Sequence, residues 1–408
     1  MTPPLGSLTR SDRKKVPPYT ACKAPLEAGE ICRSCKHLNR FLDDCAQKRF
    51  SVNPSDTHRQ AHRATDMPTE QTKYGNSARH HGSIKALASF HDPTIVEFRS
   101  FNPDDDAKAL HKAMKGFGTD EKAIINLLTK RSNYQRQIIT DSYQALYNKD
   151  LLKDLKSELS GTLSEVVEGL MQSPDVFDAN EIHRAVAGLG TDEEALIEIL
   201  CSRSNAEIQA LRAAYERLFK KDLRKDIEGD TSGYFRRLLI AELQVPRNEA
   251  DEIFLYQAYH EALALWETGP KKWAQDEAFS IPIFTRRSHA HLRHVFDEYK
   301  KICGVDIEKD ITNEMTGDVA DFFLTIIKLS RNPPAYFAER LYRAMKGIGT
   351  NEKEVVRVIV SRSEKDLGAV KTEFAKLYGK SLESFISGDF SGDAKKILLA
   401  LIGESPAK

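Results

Sequence analysis

A six-residue pattern recurs along the chain, and it constrains the possible fold more than any other feature. It reads Met-Lys-Gly-Phe-Gly-Thr at 114–119, Val-Ala-Gly-Leu-Gly-Thr at 186–191 and Met-Lys-Gly-Ile-Gly-Thr at 345–350, with a degenerate Lys-Trp-Ala-Gln at 272–275. The second glycine position of the pattern falls at 118, 190, 274 and 349. Four copies at such similar intervals indicate a repeat protein whose units pack on one another.

An acidic residue follows each copy at a fixed distance. Glu158, Asp230, Glu314 and Asp389 each lie 40 residues after the second glycine position. Two glycines separated by one residue allow positive φ, so several carbonyl oxygens can face one point. A distant carboxylate can then complete the all-oxygen cage that Ca²⁺ prefers. For one copy alone, an ordinary helix C-cap glycine would be the better interpretation, but three intact copies with an acid at constant spacing favour calcium sites.

These residues are also where the chain resembles the annexin family, whose pattern is Lys-Gly-x-Gly-Thr followed by a distant Asp or Glu. Residues 115–158 and 346–389 fit this pattern, and 187–230 fits except that Ala187 replaces lysine. The resemblance covers 96–403 and includes the Gly-Asp-Thr-Ser-Gly run at 229–233. It implies an all-α fold of four annexin-type repeats, each of five helices, in a curved disc. Calcium sites on the convex face would bridge to anionic phospholipid.

The resemblance also divides the chain and assigns ligands. The expected units are a tail at 1–95 and repeats at 96–172, 173–248, 249–331 and 332–408. Each intact site uses three main-chain carbonyls and one carboxylate: Met114, Gly116, Gly118 and Glu158; Val186, Gly188, Gly190 and Asp230; Met345, Gly347, Gly349 and Asp389. Because methionine and valine act through the main chain, the change to Val186 costs nothing.

The third repeat departs from this pattern. Gly269, Lys272 and Glu314 match the family's variant of the loop, but Ala274 and Gln275 stand where glycine and threonine are expected. Alanine at positive φ is strained, so we expect this site to be weakened or silent.

The ligand count predicts weak binding that lipid strengthens. Three carbonyls and one bidentate acid leave the shell short of the six to eight oxygens that Ca²⁺ takes, so water or a lipid phosphate can complete it. Affinity without membrane should be in roughly the 10⁻⁵ to 10⁻³ M range. Lipid and calcium should then strengthen each other's binding, because linkage is reciprocal.

Large apolar residues lie between the loop glycines. They are Phe117, Leu189 and Ile348, with Trp273 at the matching place in repeat three. On an exposed loop such a residue has no core to enter, which makes it a candidate for lipid contact; packing against a neighbouring loop is the alternative. Trp266 continues an apolar helical pattern and should be buried.

Helix signals punctuate every repeat. Asn102 and Pro103 predict a helix start, and Ser132 with Gln135 forms a capping-box pattern that Ser204 and Glu207 repeat. Thr119 is expected to cap the second helix of repeat one. Sustained strand alternation is absent from the sequence, which predicts an all-α fold.

Charge is unevenly distributed. Residues 1–95 hold 15 Lys and Arg against 9 Asp and Glu, a net charge of +6, and the remainder carries −6. A negative core can meet an anionic membrane only if bound cations offset the repulsion. Apolar runs approaching the roughly 18 residues of a membrane span are missing, as is a signal-peptide segment at the start. We therefore expect a cytoplasmic protein that is peripheral at membranes when calcium rises.

The tail leaves alternatives open. Its composition predicts disorder, yet Ile31, Cys35, Leu38, Leu42 and Cys45 form an apolar stripe on a possible helix at 31–49. Annexins commonly dock such a helix with small EF-hand proteins. Cys22, Cys32, Cys35 and Cys45 contain one C-x-x-C, whereas a zinc site usually needs two tight pairs. The remaining alternative is an unfolded leader, or a start at Met67 with the earlier residues dispensable.

Catalysis is not indicated. The sequence lacks G-x-S-x-G, P-loop, H-E-x-x-H and dinucleotide fingerprints, and we expect no nucleic-acid partner. His183 and His294 show no repeated partner in the sequence and are interpreted as ordinary surface or core residues. Asp178, Glu181, Glu198, Arg203 and Arg357 match positions that line a polar channel in annexins, and we favour a network of ion pairs there. The leading hypothesis is calcium-dependent membrane binding; the alternative is a scaffold that bridges membranes through a partner on the tail.

Overall fold

The computed structural model describes residues 90–116, 118–188, 190–273 and 275–403, apart from the side chain of Glu277. These residues form 21 α-helices and no strand, which confirms the all-α prediction. The four tail cysteines and the helix expected at 31–49 lie outside them, as do Phe117, Leu189 and Ala274. No helix in the described ranges is long and apolar enough to cross a membrane.

The first two repeats each contain five helices. In repeat one these are α1 (Pro103–Ala113), α2 (Glu121–Leu128), α3 (Asn133–Tyr147), α4 (Leu151–Glu158) and α5 (Gly161–Met171). In repeat two they are α6 (Pro174–Val186), α7 (Glu193–Ser202), α8 (Asn205–Phe219), α9 (Leu223–Asp230) and α10 (Gly233–Gln244). In both, the hexapeptide loop joins the first helix to the second, and the fourth helix ends at the acid.

The third repeat adds one short helix. Its members are α11 (Leu255–Thr268), α12 (Pro270–Trp273), α13 (Glu277–Arg286), α14 (His289–Cys303), α15 (Ile307–Glu314) and α16 (Asp318–Arg331). Repeat four returns to five, with α17 (Pro333–Met345), α18 (Glu352–Arg362), α19 (Leu367–Tyr378), α20 (Leu382–Asp389) and α21 (Gly392–Leu401). The extra helix α12 occupies the place that the glycine loop takes in the other repeats.

Side-chain caps set the helix starts. The Asn102 side chain accepts from the main-chain nitrogens of Asp104 and Asp105, and both capping boxes form as expected. The prediction for Thr119 is wrong, because Asp120 is the N-cap of α2 and accepts from the nitrogen of Ala123 at 2.9 Å. The Thr119 hydroxyl therefore does not cap α2 and instead donates to the Glu158 carboxylate.

The repeats pack in two pairs. Helix α5 of repeat one lies against α18 and α21 of repeat four, while α7 and α10 of repeat two lie against α16 of repeat three. These helices carry fully buried apolar residues, such as Val166 and Leu398 in the first pair and Leu196 and Phe322 in the second. Burial of this apolar area supplies most of the stabilisation.

The segment before α1 is held by the fourth repeat. The main-chain nitrogens of Thr94 and Ile95 donate to the Ser363 carbonyl at 2.9 and 3.0 Å. The Thr94 hydroxyl donates to the Leu401 carbonyl at 2.6 Å. The first and last described repeats are therefore tied by hydrogen bonds as well as by apolar packing.

Buried charges join the two pairs. Glu198 of α7 is fully buried, and its carboxylate accepts from Arg357 of α18 at 3.1 and 3.0 Å. Burial opposes ionisation of Glu198, but the charge of Arg357 and its hydrogen bonds, with Arg340, hold the pKa below its usual value. Arg203 forms a two-bond pair with Asp178 at 2.7 and 2.8 Å. These contacts make up the ion-pair network that the sequence favoured.

A second junction contact predicts a pH dependence. Glu207 of α8 pairs with Lys365 between α18 and α19. Burial would raise the pKa of Glu207, but the charge of Lys365 and its hydrogen bond lower it from 4.5 to about 2. A lowered carboxyl pKa contributes stability above the unfolded pKa and loses it as pH falls. The wild type should therefore lose more stability than Glu207→Gln between about pH 4.5 and 2, measured by urea unfolding wherever the protein stays folded.

Candidate metal site

The paired glycines of three loops have similar positive φ values. The paired glycines have φ of 126° and 90° at Gly116 and Gly118, 130° and 91° at Gly188 and Gly190, and 120° and 87° at Gly347 and Gly349. A Cβ built at any of the six would meet no atom within 4 Å. Glycine is therefore required by the left-handed backbone and not by crowding.

Each loop is closed by the same hydrogen bond. The main-chain nitrogen after the loop threonine donates to the carbonyl of the residue just before the hexapeptide: Asp120 to Ala113 at 2.9 Å, Asp192 to Ala185 at 2.9 Å and Asn351 to Ala344 at 2.8 Å. Met114 and Val186 are half-buried and pack against the core, and Met345 is buried. Their side chains therefore anchor the loop, in keeping with a ligand role for the main chain only.

The distant acid reaches its loop in all three intact repeats. Thr119 Oγ1 donates to Glu158 Oε2 at 2.6 Å, Thr191 Oγ1 to Asp230 Oδ2 at 2.7 Å, and Thr350 Oγ1 to Asp389 Oδ2 at 2.7 Å. The sequence contained this signal, since a threonine ends every intact hexapeptide, but its role was assigned to a helix cap. Loop and carboxylate, far apart in sequence, thus form one unit.

The donor set suits a hard cation. Among the described residues, no group of three or more His, Cys, Asp or Glu side chains is placed to hold a metal. A cation at these loops would be held by one carboxylate with main-chain oxygens, the oxygen-only chemistry of Ca²⁺. Glu158 and Asp389 are exposed and Asp230 is half-buried, so solvent or a further ligand has access. The predicted residues fit such an ion.

The third repeat has a different local structure. Gly269 is buried and has φ of 76°, and α12 follows it directly. The Gly269 carbonyl accepts from the Lys272 nitrogen at 3.0 Å, and the Lys272 carbonyl accepts from the nitrogens of Gln275 and Asp276 at 2.9 and 3.0 Å. Gln275 also replaces the threonine that contacts the acid elsewhere. The carbonyls of Gly269 and Lys272, which are candidate ligands together with Glu314, are thus hydrogen-bonded within a helical turn.

The expected exposure of Trp273 is wrong. Its side chain is 0% exposed, and its Nε1 donates to the Leu265 carbonyl at 3.0 Å. The ring packs beside Phe284 and Phe323, with centroids 5.6 and 5.9 Å away. Helix α12 directs the Trp273 side chain into the core, a position that the sequence pattern did not predict. Ile348, at the matching place in repeat four, is fully exposed at 109%.

Buried Trp273 gives a spectroscopic prediction. In a Trp266→Phe protein held in chelator, the emission of Trp273 should be blue-shifted and shielded from acrylamide and iodide, because the indole is buried and hydrogen-bonded. Iodide quenching should be several-fold weaker than for an Ile348→Trp variant of a Trp266→Phe, Trp273→Phe protein. Equal quenching of the two proteins would contradict the buried position.

The expectation that His183 has no repeated partner is also wrong. His183 Nδ1 lies 3.2 Å from Tyr215 Oη, and His111 Nδ1 lies 3.2 Å from Tyr143 Oη. The two histidines, and likewise the two tyrosines, are separated by the same step as Gly118 and Gly190 of the first two hexapeptides. That spacing was the signal for a repeated partner.

Comparisons with known proteins agree with this geometry. The family model described as Annexin matches residues 105–170, 177–241, 260–326 and 336–401. Annexin A11 of Homo sapiens is 49% identical over 310 residues, 76% of this chain and 61% of that protein. Annexin A5 of Bos taurus is 46% identical over 310 residues, 76% of this chain and 97% of that protein. The chain thus spans only about three fifths of the annexin A11 relatives it matches.

Solved structures give the same result. Annexin III aligns with a TM-score of 0.74 and 43% identity, covering 77% of this chain and 97% of that one. A structure of calcium-bound annexin (Sm)1 aligns with a TM-score of 0.69 and 31% identity, covering 77% and 93%. With four family-model matches that span most of the described helices, the chain belongs to the annexin family.

Proposed function

We propose that this protein binds anionic phospholipid membranes in a calcium-dependent manner and without catalysis. The observation that supports this most directly is the loop–acid unit, which has similar glycine φ values, the same closing hydrogen bond and the same threonine contact in three repeats. Repetition of an exposed oxygen-donor site is what a multivalent surface binder requires. Calcium-bound annexin (Sm)1, a structural neighbour, agrees with the choice of ion.

Calcium would carry the charge needed for membrane contact. The part of the chain after residue 95 has a net charge of −6, which opposes approach to an anionic surface. Each bound Ca²⁺ adds two positive charges at an exposed loop, and its unfilled positions can accept phosphate oxygens. The exposed Ile348, and by sequence Phe117 and Leu189, would then enter the interfacial region of the bilayer on the convex face.

A sedimentation experiment tests the proposal. The protein is mixed with phosphatidylserine vesicles across a calcium series, with chelator and pure phosphatidylcholine vesicles as controls. We expect binding only with calcium and only to the anionic vesicles. Binding that persists in chelator, or that ignores the charge of the lipid, would contradict the proposed mechanism. In a cell this behaviour corresponds to a cytoplasmic protein that is peripheral at membranes when calcium rises.

Repeat three provides an internal comparison. Because the Gly269 and Lys272 carbonyls are engaged in a helical turn, Glu314→Ala should change the calcium needed for half-maximal vesicle binding less than twofold. Asp389→Ala, which removes the carboxylate of an intact loop, should raise it about threefold or more if the sites act together on one surface. Both changes remove one negative charge at a helix end, that of α15 for Glu314 and that of α20 for Asp389. Equal effects would show that the third site also binds calcium.

Bridging through the tail remains a second candidate. Residues 1–95 carry a net charge of +6 and contain the apolar stripe at 31–49, which would suit docking to a small EF-hand protein. Deleting residues 1–89 should leave vesicle binding intact while vesicle aggregation in the presence of such a partner falls. Aggregation that is unchanged by the deletion would assign bridging to the repeats alone.

A further inference from the structure

A three-residue contact connects the two parts of the proposed calcium site from inside the repeat. In repeat one, His111 Nδ1 lies 3.2 Å from Tyr143 Oη, and Tyr143 Oη donates to Asp154 Oδ2 at 2.8 Å. In repeat two, Tyr215 Oη lies 3.2 Å from His183 Nδ1 and donates to Asp226 Oδ2 at 2.7 Å. We name each His–Tyr–Asp set the brace of its repeat.

The brace joins the helix before the loop to the helix that ends at the acid. His111 lies three residues before Met114, the first residue of the loop, and Asp154 lies one helical turn before Glu158. Tyr143 bridges them from α3 and is 1% exposed. The threonine–acid hydrogen bond closes the same unit on the outside, where water competes with it. The buried tyrosine is therefore better placed to fix the two helices.

Neighbouring groups hold the brace in place. The His183 ring stacks on Phe219 with centroids 3.8 Å apart, and His111 stacks on Tyr147 at 3.9 Å. Lys221 Nζ lies 3.6 Å from the Asp226 carboxylate. Burial raises the pKa of Tyr215, and the hydrogen bond to Asp226 raises it further, so the hydroxyl remains a donor.

Repeat four holds an apolar set at the same places. Counted from the second loop glycine, Phe374 replaces the tyrosine, Phe385 replaces the aspartate and Tyr342 replaces the histidine. The ring centroids of Tyr342 and Phe385 are 5.6 Å apart, and those of Phe374 and Phe385 are 5.1 Å apart. In repeat three, Tyr299 donates to Asp310 at 2.6 Å. Two chemistries therefore connect the same helices.

We propose that the braces set the position of the site carboxylate relative to its glycine loop, with Tyr143 and Tyr215 as positioning residues in repeats one and two and an aromatic cluster in repeat four. This inference rests on the calcium function proposed above. A bidentate acid must meet the ion together with several carbonyls at roughly 2.3 to 2.6 Å. Loosening α9 against α6 should therefore weaken binding even though every ligand is still present.

The test measures calcium-dependent vesicle binding through one intact loop site at a time. Glu158→Ala with Asp389→Ala keeps the intact loop site of repeat two, and we call this the site-two protein. Glu158→Ala with Asp230→Ala keeps the intact loop site of repeat four, and we call this the site-four protein. Tyr215→Phe keeps the ring and removes only the hydroxyl. In the site-two protein we expect it to raise the calcium needed for half-maximal phosphatidylserine vesicle binding about three- to tenfold, the value of one buried hydrogen bond. In the site-four protein it should have no effect.

Two further measurements distinguish positioning from stability. In chelator, Tyr215→Phe should speed amide hydrogen exchange in 223–230 without changing exchange in α20. Replacing the whole brace by its repeat-four counterpart, His183→Tyr with Tyr215→Phe and Asp226→Phe, should recover at least half of the lost calcium sensitivity. Recovery of binding by a set with no shared hydrogen bond would support a positional role.

The outcomes separate the inference from the function it rests on. A site-two parent that does not respond to calcium contradicts the proposed site itself, and the brace with it. If the site-two parent responds to calcium and the same protein with Tyr215→Phe responds identically, the brace is overturned but the proposed site is not. An equal loss in the site-two and site-four proteins also overturns it, because the effect would then be general destabilisation.

Discussion

Replacing Glu158, Asp230 and Asp389 together by alanine is expected to abolish calcium-dependent sedimentation with phosphatidylserine vesicles. Each substitution removes the one carboxylate of an intact loop and leaves main-chain oxygens that are too weak to hold the ion alone. The effect should exceed a hundredfold in the calcium required, because the three sites act on one surface. Circular dichroism should be unchanged, since the three acids lie at helix ends and are exposed or half-buried.

Net charge needs its own control, because the triple variant loses three negative charges. Alanine at Asp141, Glu216 and Glu252, which are exposed acids on other parts of the repeats, changes the net charge equally. That protein should bind vesicles at least as well as the wild type. If the control also fails to sediment, long-range electrostatics and not ligation would explain the loss.

Glu198→Ala is expected to cost about 3 to 5 kcal/mol of unfolding free energy, as breaking a buried ion pair does. The Glu198 side chain is fully buried and bonds twice to Arg357, and its carboxylate also lies 3.8 Å from Arg340. Its removal deprives the Arg357 guanidinium of both hydrogen bonds and leaves it the Glu181 carboxylate 3.8 Å away, whereas Arg340 keeps Glu194 and Glu354. Urea unfolding followed by circular dichroism measures the loss.

A double variant shows whether an unpaired charge causes that loss. Glu198→Leu with Arg357→Leu removes the pair and fills the space with apolar groups, a change that is often close to neutral. We expect its free energy of unfolding to exceed that of Glu198→Ala by about 2 kcal/mol or more. Equal losses of unfolding free energy in Glu198→Ala and in the double variant would show that the cost comes from altered packing and not from an unpaired charge.

Local sequence was sufficient wherever a structural feature depends on neighbouring residues. The capping boxes at Ser132 and Ser204 and the paired glycines follow short-range rules, and the helix starts follow from them. The acids were found because their spacing repeats along the chain. Thr119 shows the limit of these rules, since the same threonine can cap a helix or reach a carboxylate 39 residues away. The choice is made by tertiary contact, which a local pattern does not contain.

Trp273 and Tyr215 were missed for different reasons. The step from Gly190 to Ala274 is longer than the other two steps between hexapeptides. Most of the added length lies between α10 and α11, at 245–254, and only a few added residues lie in the segment that forms α12. Alignment by hexapeptide placed Trp273 on an open loop and hid the one-turn helix. The brace kept its spacing in repeats one and two but changed chemistry in repeat four, where Phe374 and Phe385 replace the polar pair. A search for identical residues fails when position is preserved and residue type is not.

The contact between repeats one and four has a consequence for the order of folding. Chains emerge from the ribosome amino end first, and domains generally fold in that order. Here the buried face of α5 has its partners in α18 and α21, and Thr94 reaches a carbonyl 307 residues later. Repeats two and three can pair as soon as both are made. Repeat one therefore keeps an exposed apolar face until the last repeat is synthesised, and we expect its packing on repeat four to be a late step in folding.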